Sequence, residues 1–213
     1  MNFTPTLLDA IGAWQRGWRE QQNRRIELAK QLEAACTSLP SNMRTVDVDC
    51  YRKRFLHKGE LVQLIMKDHL DEGVVSWTTD VRLAERFKGL HRPGAISGAI
   101  FRHAPTAPEV VVNIPALWQD TAFVEAASQY RKDGGQYADA LFNFGETQSE
   151  IVLRSPLKGS QIITLTGASS HFDEICDSGG IPEDQRDDIF QKLIDQGREK
   201  YKNLLNRIEY HQQ

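Results

Sequence analysis

The chain has 213 residues, 40% hydrophobic and 26% charged, a size and balance that suit one ordinary core with appended elements. Its formal net charge of -3 excludes a uniformly cationic surface that would grip nucleic acid without specificity. Three cysteines at wide, irregular spacing (Cys36, Cys50 and Cys176) do not make a disulfide framework, and no CxxC, HExxH or His/Cys cluster has metal-ligand spacing.

The opening residues lack a basic stretch and a long apolar run, so no cleaved signal peptide is expected, and no segment approaches membrane-spanning length. A soluble cytoplasmic protein with reduced thiols is the expectation. Thr4 or Thr6 caps a first helix in which Leu7, Leu8, Ile11 and Trp14 recur at helical spacing. Residues 21–39, rich in Glu, Lys, Gln, Ala and Leu, predict a second helix that Pro40 and Ser41-Asn42 stop.

From Arg44 the period changes. Val46, Val48 and Cys50 alternate with Asp47, Asp49 and Tyr51, which predicts a half-buried strand. Leu61, Leu64 and Ile65 predict a helix within 59–69, and the β-branched and aromatic run 73–79 predicts a strand. Asp80 caps a helix with Leu83, Ala84 and Phe87, and Pro93-Gly94 is a turn. Strands are predicted at 95–103 and 109–114, a helix at 121–131, and a loop from Asp133-Gly134-Gly135 that runs to the residues before Gln148. Strands follow at 148–154, with Gln148 and Glu150 on one face, and at 160–166. After Gly179-Gly180-Ile181-Pro182, a helix with Ile189, Leu193 and Ile194 on one side runs to about Tyr210. This is an α+β arrangement. Its parts read as a helical extension (1–43), a strand-rich core (44–167) and a second helical extension (168–213).

Three features of the core occur in a telling order. Tyr51-Arg52 comes first, then Ser76-Trp77-Thr78-Thr79-Asp80 with Ala84-Glu85-Arg86-Phe87 behind it, then Gln148-Ser149-Glu150 before the apolar run Ile151-Val152-Leu153. The ordered set resembles the ADP-ribosyltransferase superfamily, in its Arg, Ser, Glu branch, over about residues 44–167. Members of that branch carry Tyr-Arg at the first strand, a Ser-x-Thr-Ser-like strand before a helix with Ala-x-x-Phe, and Glu-x-Glu or Gln-x-Glu ahead of an apolar strand. Two positions depart from the pattern: Lys53 stands where glycine usually follows Tyr-Arg, and Ser76-Trp77-Thr78-Thr79 replaces the commoner Ser-Thr-Ser.

The resemblance implies a split-sheet core, NAD as substrate and no metal. Cleaving the nicotinamide–ribose bond creates an oxocarbenium-like centre, and a fixed carboxylate beside it stabilises charge present only in the transition state. The resemblance gives that role to Glu150, with Ser76 orienting the carboxylate and Thr78 assisting. Arg52 is suited to an NAD phosphate through its planar fork. Alternation sends Tyr51 and Arg52 to opposite faces; Arg52 faces the cleft in this reading, and Arg54 shares its face. Trp77 or Phe87 offers an aromatic wall for nicotinamide. Gln148 and Phe144 are placed at acceptor recognition, with Phe142, Asn143 and Glu146 beside them.

The resemblance associates Glu-x-Glu with arginine acceptors and Gln-x-Glu with asparagine, glutamine or a nucleic-acid base, so Gln148 tilts the expectation away from arginine. It implies a toxin-like or defence-related mono-ADP-ribosyltransferase, bacterial or phage-related, acting on a protein or nucleic-acid acceptor. Two other readings stay open: an NAD glycohydrolase with water as acceptor, and a non-catalytic binding module with a vestigial NAD cleft. The helical extensions cover the cleft, bind an antitoxin-like partner, or complete the core.

Overall fold

The computed structural model describes residues 3–17, 20–87, 95, 97–145, 148–166 and 182–185. Among them are seven α-helices and six β-strands, a mixed α+β protein. The chain divides into two units, each gathered from separate stretches of sequence: Met1–Cys50, Glu72–Val81 and Ala104–Ser155 in the first; Tyr51–Asp71, Arg82–His103 and Pro156–Gln213 in the second.

The first unit begins with helix α1 (Pro5–Arg16). Thr4 caps it, its hydroxyl accepting from the Leu7 amide at 3.3 Å, and Pro5 fits the first turn because no helical partner exists there for its missing N–H. Helix α2 (Gln22–Cys36) has no side-chain cap and buries only a stripe of Leu28, Ala29, Leu32 and Cys36, so tertiary packing holds it rather than its own ends. The sheet of this unit has the order β4-β5-β2, from strands β2 (Val74–Thr78), β4 (Val110–Asn113) and β5 (Glu150–Arg154), all antiparallel. Helices α5 (Ile114–Trp118), α6 (Thr121–Lys132) and α7 (Ala138–Gly145) complete it. Asp120 caps α6 by accepting from the Phe123 amide at 3.1 Å, and Arg131 and Lys132 stand in its last turn, where the helix dipole favours cations.

The core of this unit joins Leu8, Ile11, Leu32, Ile114, Leu117, Phe123, Leu141 and Val152, so α1 and α2 share one apolar interior with β5 and the later helices. Phe123 sits edge-on to Phe3 and Trp118, with ring centres 5.2 and 5.4 Å away. The Tyr130 hydroxyl donates to Asp9 of α1 and accepts from the Tyr137 amide, which ties α6, α1 and the turn before α7 together. Gly12 lets α1 approach that turn: a Cβ there would lie 2.6 Å from Tyr137 Cβ and 2.8 Å from its carbonyl oxygen.

The second unit carries β1 (Cys50–Leu56), β3 (Ser97–His103) and β6 (Ile162–Thr166) in the order β1-β3-β6, with helices α3 (Lys58–Lys67) and α4 (Val81–Arg86). Arg54 is buried because its guanidinium meets Glu60 at 2.7 Å and the Phe55 carbonyl. Glu60 also accepts from the His57 amide at 2.8 Å, which closes the first turn of α3. Asp68 ends α3 in the left-handed region (φ 48°), and its carboxylate accepts from the amide and hydroxyl of Ser160 at 2.8 and 3.0 Å.

Three expected elements lie elsewhere. The first core strand is Cys50–Leu56, not the alternating stretch from Arg44; Val48 is half exposed, and the charged run Tyr51-Arg52-Lys53-Arg54 forms the strand. The loop expected before Gln148 is largely helix α7, because Ala138, Leu141 and Gly145 bury along one side. Residues 148 and 149 precede β5 rather than belong to it: Ser149 has φ 45°, which breaks the two-residue alternation, so Gln148 does not share a strand face with Glu150. The turn at Pro93-Gly94 lies outside the described residues, as does the helix expected from Glu183 to about Tyr210 beyond its first residues, Glu183–Gln185, which form a 3-10 turn.

Candidate functional site

The register of β2 and β5 brings two of the sequence motifs together. Thr78 pairs with Glu150 and Ser76 with Val152, so alternation puts Ser76, Thr78 and Glu150 on one face of the sheet and Trp77 with Ile151 on the other. The Ser76 hydroxyl, one step diagonal from Glu150, donates to Glu150 Oε1. The turn ahead of Glu150 is fastened to the same strand. The Thr78 hydroxyl donates to the Gln148 carbonyl at 2.8 Å and accepts from the Asp80 amide at 3.1 Å, while the Thr79 amide donates to the Ser149 carbonyl at 3.2 Å. A non-glycine residue at positive φ is costly, on the order of 1 kcal/mol or more, and persists where its surroundings fix it. These contacts are that fixation.

Glu150 is 4% exposed. A carboxylate removed from water needs donors on its oxygens to offset several kcal/mol of lost hydration. Among the described residues it has three, and two come from α1. The Trp14 indole Nε1–H donates to Oε1 at 3.1 Å, and the Gln15 amide Nε2 donates to Oε2 at 3.3 Å. Trp14 and Gln15 are themselves buried, and among the described residues all three partners of Glu150 are neutral. Each hydrogen bond to a charged acceptor contributes about 1.5–3 kcal/mol, so the three together are of the size the desolvation demands.

Trp14 and Gln15 are the residues that reading the sequence missed. Trp14 was visible only as one more apolar position of an amphipathic helix. Gln15 carried no signal, since a polar residue beside the apolar stripe reads as surface.

The other expected residues fall as follows. Trp77 is buried at 2% exposure, on the sheet face away from Glu150. Gln148 is half-buried in the turn. Phe144 is half-buried on α7, while Phe142 packs edge-on to Trp118 with centres 5.1 Å apart and lies under the Arg131 guanidinium at 4.8 Å. Arg52 is half-buried on β1 in the second unit, and Phe87, after α4, is 51% exposed there. Lys53, in the position where the resemblance expects glycine, donates to the Glu85 carbonyl at 3.3 Å and stands 5.6 Å over the Phe55 ring; burial holds its ammonium below the usual range. Arg54 is committed to Glu60.

Among the described residues, no group of three or more His, Cys, Asp or Glu side chains is placed to hold a metal ion, and no helix is long and apolar enough to cross a membrane. No family model, curated protein or solved structure matches the chain.

Proposed function

We propose that the protein is a toxin-like, cytoplasmic mono-ADP-ribosyltransferase that transfers ADP-ribose from NAD to a macromolecular acceptor, a protein side chain or a nucleic-acid base. The observation that carries the reading is the hydrogen bond from Ser76 to Glu150. It joins two motifs 74 residues apart in the arrangement the chemistry needs, a hydroxyl fixing a carboxylate. In the reaction, the bond from the ribose anomeric carbon to nicotinamide breaks and its electron pair leaves with nicotinamide. The acceptor atom then bonds to that carbon and gives up a proton. Glu150 stabilises the cationic ribose between these events. Gln148 and Phe144 are assigned to the acceptor, and Arg52 and Phe87 to NAD, on the strength of the motifs that contain them; Trp77, buried on the sheet face away from Glu150, is core instead. The same motifs support an ADP-ribosyltransferase-like core.

The test is incubation of the full chain with labelled NAD and separated protein and nucleic-acid fractions. Label should enter one fraction, and Glu150→Gln should lower the rate by about a hundredfold or more. Nicotinamide release without label transfer would identify a glycohydrolase. A second reading is favoured by the burial of Glu150, with both carboxylate oxygens engaged by the protein itself. In it the chain is a binding module, and Glu150 serves only to fasten α1 to the sheet. That reading predicts no NAD cleavage and a loss of stability in Glu150→Gln.

A further inference from the structure

We infer that Trp14 and Gln15 of helix α1 are positioning residues for the reacting carboxylate, an inference that rests on the ADP-ribosyltransferase reading. Ionised carboxylate oxygens offer about two acceptor sites each. Among the described residues, Oε1 of Glu150 accepts from both Trp14 and Ser76 and is filled, whereas Oε2 accepts only from Gln15. Oε2 is therefore the oxygen with capacity left for a substrate hydroxyl, and Trp14 is one of the two donors that assign the work to it. Gln15 is 6% exposed, and its own Oε1 is buried with no partner among the described residues.

The mounting of these donors is rigid. Trp14 and Gln15 are consecutive residues of a helix whose Leu7, Leu8 and Ile11 lie in the core. Gly12, two residues before Trp14, fixes the distance of that helix from the turn at Tyr137. A donor on such an element does not reorganise when charge develops, which is the condition for electrostatic stabilisation to lower a barrier. A donor that served stability alone would have no bearing on turnover.

The experiment uses the full chain with Trp14→Phe, Gln15→Met, and a chain carrying β-(3-benzothienyl)alanine at position 14, which keeps the bicyclic shape and replaces the N–H by sulfur. The last keeps the test open where Trp14→Phe unfolds. Two quantities are read: steady-state NAD cleavage, and the indole N–H resonances of the four tryptophans, with that of Trp14 assigned by its loss in Trp14→Phe or the benzothienyl chain. The expected results are a kcat lower by about tenfold to a hundredfold in each folded variant with KM within about twofold, and a Trp14 resonance that moves in Glu150→Gln. An active wild type whose position-14 and position-15 variants keep kcat, or whose Trp14 resonance ignores Glu150→Gln, overturns the positioning role and leaves the proposed function standing. A wild type that neither cleaves NAD nor transfers label overturns the function, and the positioning role with it.

Discussion

Replacing Gly12 by alanine reverses the sign that helix propensity alone would give. Gly12 lies inside α1 with ordinary helical backbone, and in an exposed helix the change to alanine stabilises by about 0.5–1 kcal/mol. Here the new methyl would stand 2.6 Å from Tyr137 Cβ and 2.8 Å from the Tyr137 carbonyl oxygen, and neither is the yielding end of a side chain. Overpacking costs about 1–3 kcal/mol, and a clash against a Cβ and a backbone oxygen belongs to the upper part of that range, about 2–3 kcal/mol, so after the propensity gain the net loss is about 1–2.5 kcal/mol. For a chain of this size that lowers Tm by roughly 2–10 °C. The internal control is Gly59, on α3, where a Cβ meets nothing within 4 Å and alanine should raise stability. Thermal and urea unfolding of both variants give the comparison. Under the positioning inference, NAD cleavage by folded Gly12→Ala should also fall, because the displaced helix carries Trp14 and Gln15. A Tm that rises in Gly12→Ala as it does in Gly59→Ala would refute the claim that α1 is seated by contact at this glycine.

Two further outcomes follow from ionisation. Burial, with the hydrogen bond to Asp9 next, pushes the Tyr130 phenol from 10.0 up to about 12. The unfolded chain releases this proton first, so the stability Tyr130 contributes is whole below pH 10 and declines as pH rises to 12. The advantage of the wild type over Tyr130→Phe in urea unfolding should therefore shrink across that interval, and a constant difference would refute the coupling. Burial likewise pushes the thiols of Cys36 and Cys50 up to about 12, against the Arg44 charge in the first and with the Asp49 charge in the second. Both should resist iodoacetamide at pH 8 in the native protein and react in urea, as peptide mapping would show; native labelling at the unfolded rate would contradict their burial.

The parts of the fold legible in the sequence are those where burial and periodicity agree. Thr4 with the apolar spacing of α1, the run in β2, and Asp120 ahead of α6 each carry their own start signal. The first core strand escaped because its residues are charged: Arg54 enters the interior only with Glu60 as partner, and no local pattern announces that pairing. Helix α5 escaped although Asn113 caps it and Pro115 sits in its first turn, because the apolar run 110–114 reads through as a single strand. Within the candidate site, Ser76 and Glu150 were legible as motif positions, and the register of two strands joins them. Trp14 and Gln15 were not, since a hydrogen bond across 135 or 136 residues leaves no trace in either segment alone.

That separation sets an order of assembly. During synthesis α1 leaves the ribosome long before β5, so the indole and amide donors exist for most of the time the first unit is being made without the carboxylate they serve. Closing so long a loop is entropically slow, and Glu150 enters the interior only when it closes. Any fragment that starts after α1, although it would keep every motif from Tyr51 to Glu150, would leave a buried anion short of two of its three donors. For anyone preparing the protein, the first sixteen residues belong with the fragment that carries Glu150.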